Sequence, residues 1–194
     1  NAAELGELGE RFLKKQQPSL EAQLTNLADE IAYNSHDVDD GLRAELIRIE
    51  QLNEIPLFCM QYQEVKQRYP DLSQRRTIHE VVRRLINCQA VDLVKTSNQR
   101  LKQVCPADLD AVRRQPQALI AFSDSMRELN HELKRFLRTH LYRHYRVHRM
   151  SIKAMRVISD LFDAFFHDPR LLPEEAQQRV TELRDNAGAT GQAR

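Results

Sequence analysis

The sequence predicts an all-α protein, and three observations carry that reading. Apolar residues recur at three- and four-residue intervals along most of the chain, which is the period of an amphipathic helix. Glycine occurs only 5 times in 194 residues, so few turns are available to join short strands. No segment shows the apolar–polar alternation of a half-buried strand.

The elements follow in order. A helical lead-in over Ala2 to Lys15 runs to Gln16-Gln17-Pro18, where proline interrupts it. A second helix starts near Ser19 and reaches at least Asp40, with Leu20, Leu24, Leu27, Ile31 and Val38 at helical spacing. Gly41 is a point where it bends or ends, although Leu42, Leu46 and Ile47 continue the period. Pro56 opens a shorter helix that ends before Tyr69-Pro70. From Ser73 a long helix extends to just before Cys105-Pro106. A short connection holds Asp108 to Arg114 and Pro116. Gln117 to Phe166 then reads as two helices or one bent helix, stopped by His167-Asp168-Pro169. A last helix is expected from Pro173 to about Asp185, with a fraying tail over 186–194.

Composition narrows the class further. Hydrophobic residues at 41% and charged residues at 29% suit a globular domain or a large piece of one. The formal net charge of +1 points to neither nucleic acid nor a lipid surface. No run of apolar residues is long enough to span a bilayer, and the acid-containing start does not read as a signal peptide. Cys59, Cys88 and Cys105 are far apart and odd in number, without CxxC spacing. They are read as core or half-buried residues of a protein kept in a reducing cytoplasm. The cluster Phe162, Phe165 and Phe166 is likewise read as core.

The most informative segment is Leu27 to Arg43, LADEIAYNSHDVDDGLR. On a helix, Asp29, Tyr33 and Asp37 stand at i, i+4 and i+8 and line one face, with Asn26, His36 and Asp40 nearby. Leu24, Leu27, Ile31, Val38 and Leu42 occupy the opposite side. Periodicity alone makes the polar side a solvated face. Against that, a tyrosine sits among the acids, and these acids have no Lys or Arg at i+4. A carboxylate face beside an aromatic suits a cleft for a metal and a polar ligand.

The stretch SLEAQLTNLADEIAYNSHDVDDGLR resembles the segment bearing the last metal ligand in bacterial HD-domain deoxynucleoside triphosphate triphosphohydrolases, the dGTP triphosphohydrolase-like proteins. HLYRHYRVHRMSIKAMRVISDLFDAF, His140 to Phe165, resembles a later helical region of the same family. The resemblance implies an HD-type helical bundle, here lacking its N-terminal helices. It divides the chain into the end of the HD catalytic core (1–50), a helical C-terminal region (51–185) and a flexible tail (186–194). It makes Asp29 a ligand of a divalent metal such as Mg or Mn. Tyr33 becomes the aromatic that packs on the deoxyribose, and Asp37 the acceptor of its 3′-hydroxyl. A hard metal favours carboxylate and imidazole, and an aromatic beside the 2′-carbon excludes a ribose hydroxyl. The pair His36-Asp37 is not the dyad that names the family, which precedes the final Asp by a long stretch. No histidine occurs before position 36, so the chain is expected to be a C-terminal portion without catalytic residues of its own.

Two basic features remain. On QRRTIHEVVRR, Gln74 to Arg84, an arginine is expected to reach triphosphate oxygens, with Arg76 as the candidate beside Arg83 and Arg84. From Lys134 to Arg156 there are eight Lys or Arg and no acid, with His140, His144 and His148 every four residues. The histidines lack the glutamate of HExxH, so exposed helix histidines are preferred to a metal site. The strip suits nucleotide phosphates, single-stranded nucleic acid or an acidic subunit surface, and the resemblance implies a regulatory dNTP or a subunit interface in a homo-oligomer. Two functions are therefore weighed. One is dNTP hydrolysis to deoxynucleoside and triphosphate by a parent protein; the other is a non-catalytic helical module binding nucleotides or nucleic acid through 134–156.

Overall fold

The structure is a computed structural model, and residues 6–191 are described. It is all-α, and no strand occurs among the described residues. The helices are α1 (Gly6–Leu13), α2 (Leu20–Arg43), α3 (Ile49–Leu52), α4 (Pro56–Arg68), α5 (Gln74–Val104), α6 (Leu109–Arg113), α7 (Asp124–Leu137), α8 (Tyr145–His167) and α9 (Glu174–Gly191). A π-helical turn, Arg138–Tyr142, follows α7, and a 3₁₀ turn, Pro169–Leu171, precedes α9. The expected start at Ala2 lies outside the described residues, as do the last three of the tail. The chain divides into two compact units, one ending at Arg143 and the other beginning at His144.

In the first unit α5 is the axis. Its 31 residues span about 46 Å at ~1.5 Å per residue, and α2 and α4 pack along it. Ser19 begins α2 by accepting a hydrogen bond from the Ala22 amide, satisfying one orphan donor of the first turn. The helix passes through Gly41 rather than ending there, and the chain reverses at Glu45, which has a left-handed φ of 55°. Gly41 serves close approach: its carbonyl accepts from the Leu46 and Ile47 amides, and Ile47 packs against its α-carbon. Val38, Ile47, Leu52, Leu57, Phe58, Val81, Leu85, Leu133 and Leu137 belong to the main core. A second cluster gathers Ile31, Leu93, Ile120 and Phe122.

The helix expected from Gln117 begins only at Asp124. Polar side chains hold 118–123 in a non-helical path. Gln23 accepts from the Leu119 and Ile120 amides at 2.9 and 3.1 Å, and Ser97 from the Ala121 amide at 3.1 Å. Asp92 accepts from both the amide and the hydroxyl of Ser123, at 2.9 and 2.7 Å. These bonds satisfy the backbone without a helix and let Ile120 and Phe122 enter the second cluster. Ser123 then caps α7.

Two further expectations are corrected. Cys105 is exposed rather than half-buried; it takes a left-handed φ of 43° at the end of α5, where a helix commonly closes with such a residue. In the second unit Phe162 and Phe166 are exposed and Phe165 is half-buried; they form no core, because α8 buries no residue. Helix α9 runs to Gly191.

Candidate functional site

The polar face of α2 forms one wall of a cleft of about 750 Å³. Asp29, Glu30 and Tyr33 come from this wall; Lys134, Arg135, Arg138 and Tyr142, from α7 and the π turn, stand on the other. The volume lies in the range of roughly 300–1,000 Å³ usual for small-molecule sites. Ile31 and Val38 anchor α2 in the core, which turns Asp29 and Tyr33 outward. Leu24, expected on the apolar side, is exposed instead. On α7, buried Leu133 and Leu137 leave Lys134, Arg135 and Arg138 exposed.

The walls are joined at two points. Lys134 Nζ lies 2.9 Å from Glu30 Oε2. The Tyr142 hydroxyl donates to Asp37 Oδ2. Tyr142 reaches Asp37 from the last position of the π turn; such turns frequently occur at functional sites. Burial pushes the Asp37 carboxyl above its ordinary range, and nearby Asp40 adds to this. The Tyr142 hydrogen bond and His36 act in the opposite direction. Burial also raises the Tyr142 phenol, with a further contribution from its bond to Asp37.

The cleft thus brings together Asp29 and Tyr33, and Asp37 adjoins it through Tyr142. Arg76 is exposed on the first turn of α5 and does not line this cleft. Its neighbour Arg75 faces a separate hollow of about 500 Å³ with Arg43 and His79. Arg83 is held by Glu80, at 2.9 Å from Nε and 2.6 Å from Nη2. Arg84 pairs with Glu64 and Glu80. The cations opposite Asp29 are those of α7 and the π turn, and in sequence they belong to the basic strip. Its charge run was the available signal; only folding reveals that the first turns of the strip face α2.

Among the described residues, no group of three or more His, Cys, Asp or Glu side chains converges to hold a metal ion. Asp29 offers one carboxylate, and a hard divalent cation takes about six oxygen ligands. The residues present do not by themselves build a metal site. His140 stacks on Phe136 at 4.4 Å, and His144 accepts from the Arg146 amide at the start of α8. No helix among the described residues is long and apolar enough to cross a membrane.

Comparison with known proteins adds to this geometry. Residues 120–194 match the family model of a phosphohydrolase-associated domain. The chain is 54% identical over 179 residues to a deoxyguanosinetriphosphate triphosphohydrolase-like protein of Ralstonia pickettii, covering 92% of the chain and 46% of that relative. It is 55% identical over 175 residues to a like-named protein of Bordetella pertussis, covering 90% and 45%. A third, from Thiobacillus denitrificans, is 55% identical over 179 residues, covering 92% and 47%. The chain spans about half the length of the curated relatives it matches, and the match falls on their C-terminal portion.

Proposed function

We propose that the cleft of this chain, which matches the C-terminal portion of deoxyguanosinetriphosphate triphosphohydrolase-like proteins, is the substrate-facing part of a dNTP triphosphohydrolase. The reaction adds water to a dNTP and releases a deoxynucleoside and inorganic triphosphate. The observation that carries this reading is the meeting of Asp29 and Tyr33 with Lys134, Arg135 and Arg138 in one cleft. A carboxylate and an aromatic on one wall suit a metal-bound, sugar-bearing ligand. Three cations on the other suit its polyphosphate.

Each side chain then has a task. The Tyr33 ring, 58% exposed, packs on the deoxyribose and leaves no room for a 2′-hydroxyl. Asp37 accepts a hydrogen bond from the 3′-hydroxyl through the carboxylate oxygen that Tyr142 does not use. Lys134, Arg135 and Arg138 neutralise the triphosphate and hold it in line. A divalent metal, Mg or Mn, would supply Lewis-acid activation, with Asp29 giving one ligand. Arg76 is left outside the phosphate-binding set. The expected setting is cytoplasmic.

The test is triphosphate release from dGTP and the other dNTPs by the full gene product, with added Mg or Mn. Asp29→Ala should abolish turnover. Arg138→Ala should lower kcat/KM by roughly 100-fold, the usual effect of removing one preorganised donor. Unchanged turnover in Asp29→Ala would sink the assignment. The second reading, a nucleotide- or nucleic-acid-binding module, draws on exposed Arg143, Arg146 and Arg149. Metal-independent binding to single strands that weakens steeply with salt would favour it.

A further inference from the structure

Behind the cleft, three buried amides cross the interface of α2, α5 and α7. Asn34, Asn130 and Gln89 are 5%, 2% and 0% exposed. They are bonded head to tail. Asn34 Nδ2 donates to Asn130 Oδ1 at 3.4 Å, and Asn130 Nδ2 to Gln89 Oε1 at 2.9 Å. Gln89 Nε2 ends the chain on the Leu85 carbonyl at 2.9 Å. The amides lie at the seam between the two apolar clusters. On α2, Ile31 of the smaller cluster and Val38 of the main one flank Asn34; on α5, Leu85 and Leu93 flank Gln89 in the same way.

We infer that this amide ladder fixes the register of α7 against α2, making Asn34, Asn130 and Gln89 positioning residues for the cleft. The inference rests on the cleft reading above. Apolar layers pack acceptably in more than one register, whereas a buried amide is satisfied in one only. Sliding α7 by one turn, about 5.4 Å, leaves Asn34 and Gln89 without their partner inside the core. The ladder joins directly to the site: Asn34 lines the cleft next to Tyr33, and Asn130 lies one turn before Lys134 on α7. The same slip takes Lys134 from Glu30 and Tyr142 from Asp37. The ladder thereby holds the sugar-facing wall opposite the phosphate-facing wall.

The test replaces the whole ladder with apolar side chains, Asn34→Leu, Gln89→Leu and Asn130→Leu together, in the full gene product. Exchanging all partners of a buried network for apolar groups of similar shape can leave stability nearly unchanged. The expected result is a retained Tm with a dGTP kcat/KM lowered by roughly 10- to 100-fold, the effect of misplacing binding groups by about an ångström. Lys134→Ala and Arg138→Ala serve as controls. If they leave turnover intact, the cleft reading itself is wrong. If they impair it while the folded ladder variant keeps parental kinetics, only the register inference is overturned.

A second measurement is independent of nucleotide and is made on the 194-residue chain. Glu30→Cys is paired either with Lys134→Cys or with the one-turn-shifted Arg138→Cys. The parent should cross-link at 30–134 alone. With the single change Asn130→Ser, which also serves if the triple variant does not fold, both pairs should cross-link. Cross-linking confined to 30–134 in that variant would overturn the inference.

Discussion

Replacing Gly41 with alanine sets two effects of known size against each other. Gly41 lies inside α2, so helix propensity alone favours alanine by about 0.5–1 kcal/mol. A β-carbon there would stand 2.8 Å from Ile47 Cδ1, 2.9 Å from Ile47 Cγ1 and 3.2 Å from Leu141 Cδ1. Ile47 is 2% and Leu141 7% exposed, so neither side chain can swing into solvent. Overpacking of this kind costs about 1–3 kcal/mol. The net expectation is a loss of about 0–2.5 kcal/mol, or a Tm lower by up to roughly 10 °C for a chain of this length. Leu141 immediately precedes Tyr142, so the displacement should also loosen the Tyr142–Asp37 bond and weaken nucleotide binding. Thermal and urea unfolding of Gly41→Ala beside the parent chain measure the first effect, and dGTP titration the second. A Tm above that of the parent would refute the close-approach explanation and leave propensity as the deciding term.

Two other predictions concern the cleft rim and the core. Tyr142→Phe removes a hydrogen bond that lowers the Asp37 pKa, so Asp37 should titrate higher still. A carboxyl raised by folding binds its proton more tightly in the native state. Its contribution is therefore most favourable below the unfolded value and is lost as pH rises through the folded one. Carboxyl NMR titration should show the Asp37 midpoint move upward in Tyr142→Phe, and a downward move would count against the assigned bond. Leu137→Ala truncates a fully buried side chain of the main core and should cost about 2–5 kcal/mol by urea unfolding. A cost well under 1 kcal/mol would mean that α7 is not held by that core.

The helical class was readable because amphipathic periodicity is a local property. The boundaries at Pro18, Pro56 and Cys105-Pro106 were readable for the same reason: proline acts on its own backbone and that of its neighbour. Asp29, Tyr33 and Asp37 could be singled out because their spacing puts them on one side of one helix, whatever that helix later packs against. The similarity to the triphosphohydrolase-like proteins was also legible, since the segment around those residues is long and specific.

Other features depended on partners distant in sequence. Gln117 to Ser123 has helix-compatible residues, yet Gln23, Asp92 and Ser97 claim its backbone donors. The basic run from Lys134 gave no hint that its first turns face an acidic wall about a hundred residues upstream. Phe162 and Phe166 show the converse: apolar spacing makes a helix face competent for burial, but only a packed neighbour buries it. The sequence by itself determined which residues share the polar face of α2. Tertiary structure decided which of them meet, because a cleft exists only between two walls, and the distance between walls is set by the core behind them.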